Sequence, residues 1–145
     1  MKKIIDLSPN FQRAFRSKED IKFVIIHYTG MQSAIESIKR LKNRKSNVSC
    51  HYFISKKGIV TQMVLDKDIA WHAGKSRWKN YKNLNKNSIG IELDNKGHEF
   101  GYEKFPQSQI KSVIFEIPFL FLKKRINFFI SLHDSKFGST SEIFW

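Results

Sequence analysis

The sequence predicts a single α/β domain, because strand-like and helix-like segments alternate along its 145 residues. Residues 21–28 form an almost continuous apolar run rich in β-branched side chains, which is typical of a strand buried on both faces of a sheet. Apolar side chains then recur every three or four residues through residues 32–44, the period of an amphipathic helix. A strand that leads directly into a helix is the basic unit of an α/β fold.

The middle of the chain adds strands to this predicted sheet. Two apolar stretches, residues 48–55 and 59–65, flank Lys-Lys-Gly, and Gly58 can adopt the positive φ of a tight turn, so a β-hairpin is expected. Residues 74–87, rich in Lys, Asn, Trp and Tyr, have no regular period and are expected to form a surface loop. The apolar run at residues 89–93 predicts another core strand.

The C-terminal third predicts one more helix and one more strand. A helix is expected from Pro106 through Ile117, with Pro118 placed to kink or end it. Residues 128–132 are the last strand candidate, and they lead directly into His133.

Composition limits the classes of protein that this chain can form. With 41% hydrophobic residues it can bury one core, so we expect one domain over residues 1–145 and no linker. Basic residues or Pro118 interrupt every apolar run before the roughly 18 residues of a membrane span. Asp6 and Pro9 interrupt any secretory signal, and the lone Cys50 cannot form an internal disulfide, so a cytoplasmic protein is expected.

The formal charge of +13 attracts anions, among which nucleic acid, acidic lipid and the carboxylates of cell-wall peptides all qualify. The alternative is a solvated basic surface without a specific partner, since the lysines are scattered rather than clustered. No nucleic-acid-binding motif is recognisable, so a nucleic-acid partner is not expected.

Three polar side chains follow or interrupt the predicted core strands. His27 lies at the C-terminal end of the first strand, and His133 follows the last one, so two strands can deliver two imidazoles to one end of the sheet. Glu92 is the only carboxylate within residues 89–93, and burial there raises a pKa towards the range of a general base. A structural His27, and an outward-facing Glu92 on an edge strand, are the alternatives.

Four ordered motifs then resemble the type 2 N-acetylmuramoyl-L-alanine amidases, the group that includes phage amidase lysozymes and peptidoglycan recognition proteins. The resemblance covers roughly residues 20–117. The motifs are Phe-Val-Ile-Ile-His-Tyr-Thr at residues 23–29, Ser-Cys-His-Tyr-Phe-Ile at 49–54 with its Lys-Gly turn, Ala-Trp-His-Ala-Gly at 70–74, and Asn-Ser-Ile-Gly-Ile-Glu-Leu at 87–93.

The resemblance implies a mixed central β-sheet flanked by helices, with a zinc cleft at one edge. By the same resemblance His27 binds zinc and Glu92 acts on the attacking water. Trp71 and His72 are implied to contact substrate in the cleft. His51 is implied to lie near the cleft as a substrate-binding residue, with a purely structural role as the alternative.

The C-terminal tail departs from the family pattern. Family members continue with Gly-His-Ser-Asp-Ile-Ala-Pro and Arg-Lys-x-Asp-Pro-Gly segments, which supply the second zinc ligand, a lysine and the third ligand. Here His133 matches the second ligand, while no Asp-Pro-Gly segment is present. A catalytic zinc needs three protein ligands, so the third is sought in Asp134 or Glu142. Lys136 takes the place of the lysine only by a shifted alignment.

The function implied is zinc-dependent hydrolysis of the amide bond between the lactyl group of N-acetylmuramic acid and L-alanine, in peptidoglycan or muropeptides. A monomeric enzyme that recycles muropeptides in the cytoplasm is expected, with an enzyme released to the cell wall by lysis as the alternative. A different class of function also stays open: a peptidoglycan-binding module that lacks a complete zinc site.

Overall fold

The computed structural model describes the backbone of residues 2–121 and 127–130, with side chains described through residue 115. In this part of the chain six strands form one mixed sheet in the order β1-β5-β4-β9-β3-β10. The strands of this sheet are β1 (Lys3–Ile5), β3 (Phe23–Tyr28), β4 (Tyr52–Ile54), β5 (Val60–Gln62), β9 (Ser88–Leu93) and β10 (Asn127–Ile130). Strands β4 and β5 pair antiparallel, and the other neighbouring strands pair parallel. The mixed central sheet is therefore confirmed.

Four short strands form two small ribbons beside this sheet. Strands β2 (Phe11–Gln12) and β6 (Ile69–Ala70) pair antiparallel, as do β7 (Arg77–Trp78) and β8 (Tyr81–Lys82). The second ribbon lies inside residues 74–87, where a surface loop was predicted, so that prediction was wrong for the four residues of β7 and β8. The segment then forms a 3-10 turn at Leu84–Asn87, whose Leu84 packs with Phe23 and Ile25 beneath it. A single buried leucine in a polar segment produces no repeating hydrophobic pattern in the sequence, although it anchors the segment to the sheet.

Two helices, α1 (Ala34–Lys42) and α2 (Gln107–Phe121), complete the described part of the chain. The prediction of a helix over residues 32–44 is confirmed, and Ser33 caps it by accepting a hydrogen bond from the Glu36 backbone N–H. Pro118 does not end α2. A proline at this position removes one hydrogen bond close to the C-terminal end of the helix, and the helix continues for less than one further turn.

The core occupies both faces of the sheet because successive side chains of a strand point to opposite sides. One face carries Val24, Ile26, Ile89 and Ile91, which pack with Phe105 and with Val113 of α2. The other face carries Phe53, packed with Met63, Cys50 and the apolar side of α1. Ile89 and Ile91 are 0% exposed, and burying each contributes about 1.5–3 kcal/mol before entropic costs.

The hairpin predicted around Gly58 is confirmed as β4 and β5, with Gly58 at φ +75°. A Cβ at Gly58 would lie 2.6 Å from the Ser108 carbonyl oxygen, so glycine is needed for the approach of α2 as well as for the turn. Among the residues described, no helix is both long and apolar enough to cross a membrane.

Candidate active site

Strand β9 organises the candidate site because it lies between β4 and β3, parallel to both. Ser88, Gly90 and Glu92 alternate with the buried isoleucines, and Glu92 is in register with Phe53, which packs on α1; the three residues therefore share the face that α1 covers. The register places His27 of β3 directly beside Glu92. Both residues therefore lie at the carboxyl ends of parallel strands, where open α/β sheets place their ligands.

Glu92 is a buried carboxyl group with an unusual environment. The residue is 8% exposed and lies on an interior strand, so the alternative of an outward-facing residue on an edge strand was wrong. Burial raises the pKa of Glu92 to about 8. Its Oε2 atom is buried without a hydrogen-bond partner. Such an atom is costly to bury unless a ligand or metal ion provides a partner for it.

His27 lies next to a second histidine that sequence reasoning placed on the cleft wall. The Nε2 atom of His27 is 3.1 Å from Nδ1 of His72, and the two rings are tilted at 66° to one another. His27 is partly exposed. The Nε2 atom of His27 thus contacts His72, and the residue keeps contact with solvent.

His72 packs directly on the backbone of β9. A Cβ at Gly90 would lie 2.2 Å from Cγ of His72, so only glycine allows the ring to lie there. The backbone N–H groups of His72 and Ala73 donate to Oδ1 of Asn85 at 3.0 and 2.8 Å. Burial, reinforced by the charges of neighbouring histidines and an arginine, holds the pKa of His72 well below its usual value.

His51 is 0% exposed and is held by backbone groups. Its Nδ1 accepts a hydrogen bond from the Gly90 N–H at 3.0 Å, and its Nε2 lies 3.2 Å from the Asp68 carbonyl oxygen. Burial, followed by the charge of Arg16, lowers the pKa of His51 to about 3. This environment supports the structural role, in which His51 ties β9 to the segment after β5, rather than contact with a substrate.

A cavity of about 40 Å³ opens above Glu92, between α1 and the segment that carries Trp71 and His72. By volume it has room for a small number of water molecules. Seven of the residues that line it supply polar or aromatic groups: Thr29, Ser37, Arg40, Ser49, Trp71, His72 and Glu92. The structure therefore brings Glu92, His72 and Trp71 to one cavity, with His27 beside Glu92 in the neighbouring strand.

Arg16 and Ser88 belong to this site and were not singled out by sequence reasoning. The Arg16 guanidinium donates to the carbonyl oxygens of Asn85, Lys86 and Ser88, and so fixes the chain where β9 begins. The Oγ atom of Ser88 lies 3.1 Å from Nε2 of His72. The alternation of Ser88, Gly90 and Glu92 within one motif was a signal for Ser88, whereas the position of Arg16 depends on long-range packing that no local pattern shows.

The predicted ligands and lysine of the tail, His133, Asp134, Glu142 and Lys136, lie outside the described residues. Strand β10 pairs with β3 and ends at Ile130, opposite Ile26, so its last described residue lies near the edge where His27 is found. In residues 2–115, no three histidine, cysteine or carboxylate side chains form a metal-binding group. An imidazole and an unpartnered carboxylate oxygen side by side nevertheless have the donor chemistry that suits zinc.

A buried acid beside an imidazole, at the carboxyl ends of parallel strands and under a cavity, defines an acid–base site of the kind that hydrolytic enzymes use. The model of the N-acetylmuramoyl-L-alanine amidase family matches residues 17–134, and the chain belongs to this family.

Individual relatives agree with this assignment. The chain is 34% identical over 106 residues to the N-acetylmuramoyl-L-alanine amidase AmiD of Escherichia coli, an alignment that covers 65% of this chain and 37% of AmiD. It is 45% identical over 47 residues to the 1,6-anhydro-N-acetylmuramyl-L-alanine amidase AmpD of Haemophilus influenzae, covering 32% of this chain and 26% of AmpD. Each of these two alignments thus covers less than half of the relative's length.

A solved structure of E. coli AmiD superposes with a TM-score of 0.65 and 30% identity, over 82% of this chain and 51% of that one. That AmiD structure holds the substrate anhydro-N-acetylmuramic acid-L-Ala-D-γ-Glu-L-Lys.

Proposed function

We propose that this chain is a zinc-dependent amidase that hydrolyses the bond between the lactyl group of N-acetylmuramic acid and L-alanine. The observation that carries the proposal is the buried carboxyl of Glu92, with one oxygen unpartnered, beside His27 and beneath a cavity. The chemistry of this pair matches what metal-assisted amide hydrolysis needs, a metal ligand and a proton acceptor in reach of one water molecule.

In this proposal His27 and His133 hold the zinc ion, and Asp134 or Glu142 supplies the third ligand. A bound zinc ion supplies Lewis-acid polarisation of the scissile carbonyl and lowers the pKa of a water molecule. Glu92, as the carboxylate, takes a proton from the water whose oxygen attacks the carbonyl carbon. When the carbon–nitrogen bond breaks, Glu92 gives that proton to the departing amine of L-alanine.

Burial suits Glu92 to this shuttle because a raised pKa makes its carboxylate a better proton acceptor. The neighbouring cavity wall excludes bulk water from the carboxyl, as its low exposure indicates. Trp71, half-buried on the same wall, offers an aromatic face for the sugar or the peptide stem. His72 lines the same cavity.

The proposed substrates are muropeptides with the anhydro sugar, since AmpD is named for that sugar and AmiD was solved with such a compound. The peptide stem carries carboxylates, which the net charge of +13 attracts. We further propose that the chain acts as a monomer in the cytoplasm, which the single buried Cys50 suits. Release to the cell wall by lysis is the alternative.

A peptidoglycan-binding module is the second candidate function. The specific observation in its favour is that residues 1–145 contain no Asp-Pro-Gly segment, the segment that supplies the third zinc ligand in the family that the motifs resemble. A site with only two protein ligands binds zinc weakly and loses the chemistry that depends on it.

The test uses the full chain with anhydro-N-acetylmuramic acid-L-Ala-D-γ-Glu-L-Lys as substrate and mass spectrometry to detect the released peptide. We expect hydrolysis that a chelator abolishes and zinc restores, and its loss in Glu92→Gln and His27→Ala. The matched controls are Glu36→Gln and His98→Ala, which change an exposed carboxyl and an exposed imidazole. Binding of the compound without hydrolysis at saturating zinc would favour the binding module instead.

A further inference from the structure

The wall of the cavity above Glu92 contains a second buried polar atom without a hydrogen-bond partner. Arg40 lines this cavity, and its Nε atom is buried with no hydrogen-bond partner among the described residues. The guanidinium group is always charged, so burying one of its N–H groups without an acceptor costs free energy. An acceptor that enters the cavity removes this cost.

The position of Arg40 on α1 explains why its side chain reaches the cavity. Ser37 and Leu41 are the buried residues of this helix, and both of them line the cavity together with Arg40. Residues three or four apart share one face of a helix, so Arg40 lies one turn after Ser37, at the edge of the buried face. Arg40 as a whole is half-buried, as expected of a long side chain that lies along a wall.

Two carboxyl groups of the protein are candidates to pair with Arg40, and neither does so. Glu36 precedes Arg40 by four residues, the spacing at which opposite charges pair on a helix, yet the two side chains form no ion pair. Glu92 lines the same cavity, but its Oε2 atom and the Nε atom of Arg40 both lack a partner, so these two atoms do not bond to each other. The cavity thus has a carboxyl at one place and a separate guanidinium at another.

The substrate of the proposed function carries an anion close to the bond that is hydrolysed. In anhydro-N-acetylmuramic acid-L-Ala-D-γ-Glu-L-Lys the glutamate is linked through its γ-carboxyl, so its α-carboxyl is free and is ionised at neutral pH. Only L-Ala separates this glutamate from the scissile amide. The α-carboxylate therefore lies within about 7 Å of the scissile nitrogen, the length of two extended residues.

We propose that Arg40 binds the α-carboxylate of the γ-linked D-glutamate, and so selects acidic peptide stems over stems in which this carboxyl is amidated. The assignment rests on the proposed function, which places the scissile amide at Glu92. Nε and one terminal nitrogen of a guanidinium present two parallel N–H donors, which match the two oxygens of a carboxylate. A primary amide has one acceptor oxygen and no charge, so it satisfies these donors incompletely. Arg40 determines specificity and takes no part in proton transfer.

The first test measures binding of the peptide that hydrolysis releases, so its outcome does not depend on hydrolysis. The full chain is titrated by calorimetry with L-Ala-D-γ-Glu-L-Lys and with the same peptide carrying an α-carboxamide on the glutamate. We expect the parent chain to bind the acid at least about 10-fold more tightly, the contribution of hydrogen bonds between charged groups. Equal affinities of the parent chain for the two peptides would overturn the assignment.

Variants then show whether Arg40 is the cause of this preference. Arg40→Gln should abolish the preference by weakening binding of the acid, and Arg40→Lys should leave an intermediate preference because an ammonium lacks the planar fork. Lys39→Gln removes one exposed positive charge from the same turn of α1 and should keep the preference of the parent chain. A full preference in Arg40→Gln would contradict the assignment. If urea unfolding shows that Arg40→Gln does not fold, a full preference in Arg40→Lys would contradict it instead.

Hydrolysis provides a second measurement, made with the anhydro-muramyl compound and its α-amidated counterpart. The parent chain should have the higher kcat/KM for the acid, and Arg40→Gln should lose this difference through a higher KM for the acid, because Arg40 binds the stem and not the reacting atoms. A loss that falls on kcat alone would contradict this role.

These results separate the assignment of Arg40 from the proposed function. If the peptides bind with the expected preference and the parent chain hydrolyses neither compound, the assignment stands and the hydrolase fails. If the parent chain hydrolyses both compounds with equal kcat/KM, the function stands and the assignment of Arg40 fails.

Discussion

Replacing Glu92 by glutamine is expected to stabilise the zinc-free protein while it removes the proposed catalytic proton shuttle. The physical reason is that an ionisable group which must be neutral when buried opposes folding at any pH where the unfolded chain ionises it. Glutamine has nearly the same shape and never ionises, so it removes this cost. The stabilisation should therefore depend on pH in a way that ordinary packing changes do not.

The magnitude follows from the pKa of Glu92, which burial raises from 4.5 to about 8. Between these values the folded protein binds more protons than the unfolded chain, so stability falls as pH rises from about 4.5 to about 8. Relative to a permanently neutral side chain, the carboxyl lowers the free energy of unfolding by about 1 kcal/mol at pH 5 and by about 3 kcal/mol at pH 7. The stabilisation by Glu92→Gln should therefore increase by roughly 2 kcal/mol between pH 5 and pH 7.

The assay is urea unfolding at pH 5, 6 and 7 with a chelator present, because a bound cation would favour the ionised carboxyl and mask the effect. Glu36→Gln serves as the matched control, since Glu36 is exposed, and its effect should stay within about 0.5 kcal/mol. If Glu92→Gln raised the free energy of unfolding by the same amount at pH 5 and pH 7, the stabilisation would not come from removing a buried ionisable group.

Three further predictions concern the residues around the site. In the Glu92→Gln background, acid should destabilise the fold below pH 6.5 in urea unfolding, because the pKa of buried His51 is lowered to about 3 and the unfolded chain takes up the proton first. His51 contributes about 1.4 kcal/mol per pH unit, and His72, whose pKa is also lowered, adds to this slope; unchanged stability down to pH 5 would contradict the prediction. Gly90→Ala should cost about 1–3 kcal/mol, since its Cβ collides with the His72 ring, and should displace the resonances of that ring in NMR spectra. Arg16→Lys should cost about 2 kcal/mol in the same unfolding assay, because one ammonium cannot replace the guanidinium fork that bonds several carbonyl oxygens.

The strongest elements of the fold could be predicted because their patterns are local. The buried strand β3 is an almost continuous apolar run, and helix α1 has a clear hydrophobic period; both lie where the sequence indicated. Strands β1 and β2, of three and two residues, have no such period. They exist because partners far along the chain, β5 and β6, offer backbone groups to pair with. Pairing of this kind depends on tertiary contacts, so a short stretch of sequence cannot predict it.

Of the candidate site, too, local patterns predicted some residues, and others depend on tertiary contacts. His27 and Glu92 were predicted from polar residues placed in or after apolar strands, and the resemblance to the amidases agreed with them. The buried position of His51 and the guanidinium network of Arg16 depend on segments that meet only in the folded chain. Besides the alternation that pointed to Ser88, Gly90 was a missed signal, because a glycine within a core strand indicates close approach by another group. Here that group is the ring of His72.

The pairing of β3 with β9 links the stability of the fold to the chemistry of the site. Because strand side chains alternate with a period of two, a shift of β9 by one residue would place Ile89 and Ile91 beneath the cavity, and would move Glu92 to the face that packs on α2. The buried isoleucines on that second face make this shift very costly. The buried isoleucines, which have no catalytic role, therefore keep Glu92 beside His27 and Ser88 within reach of His72.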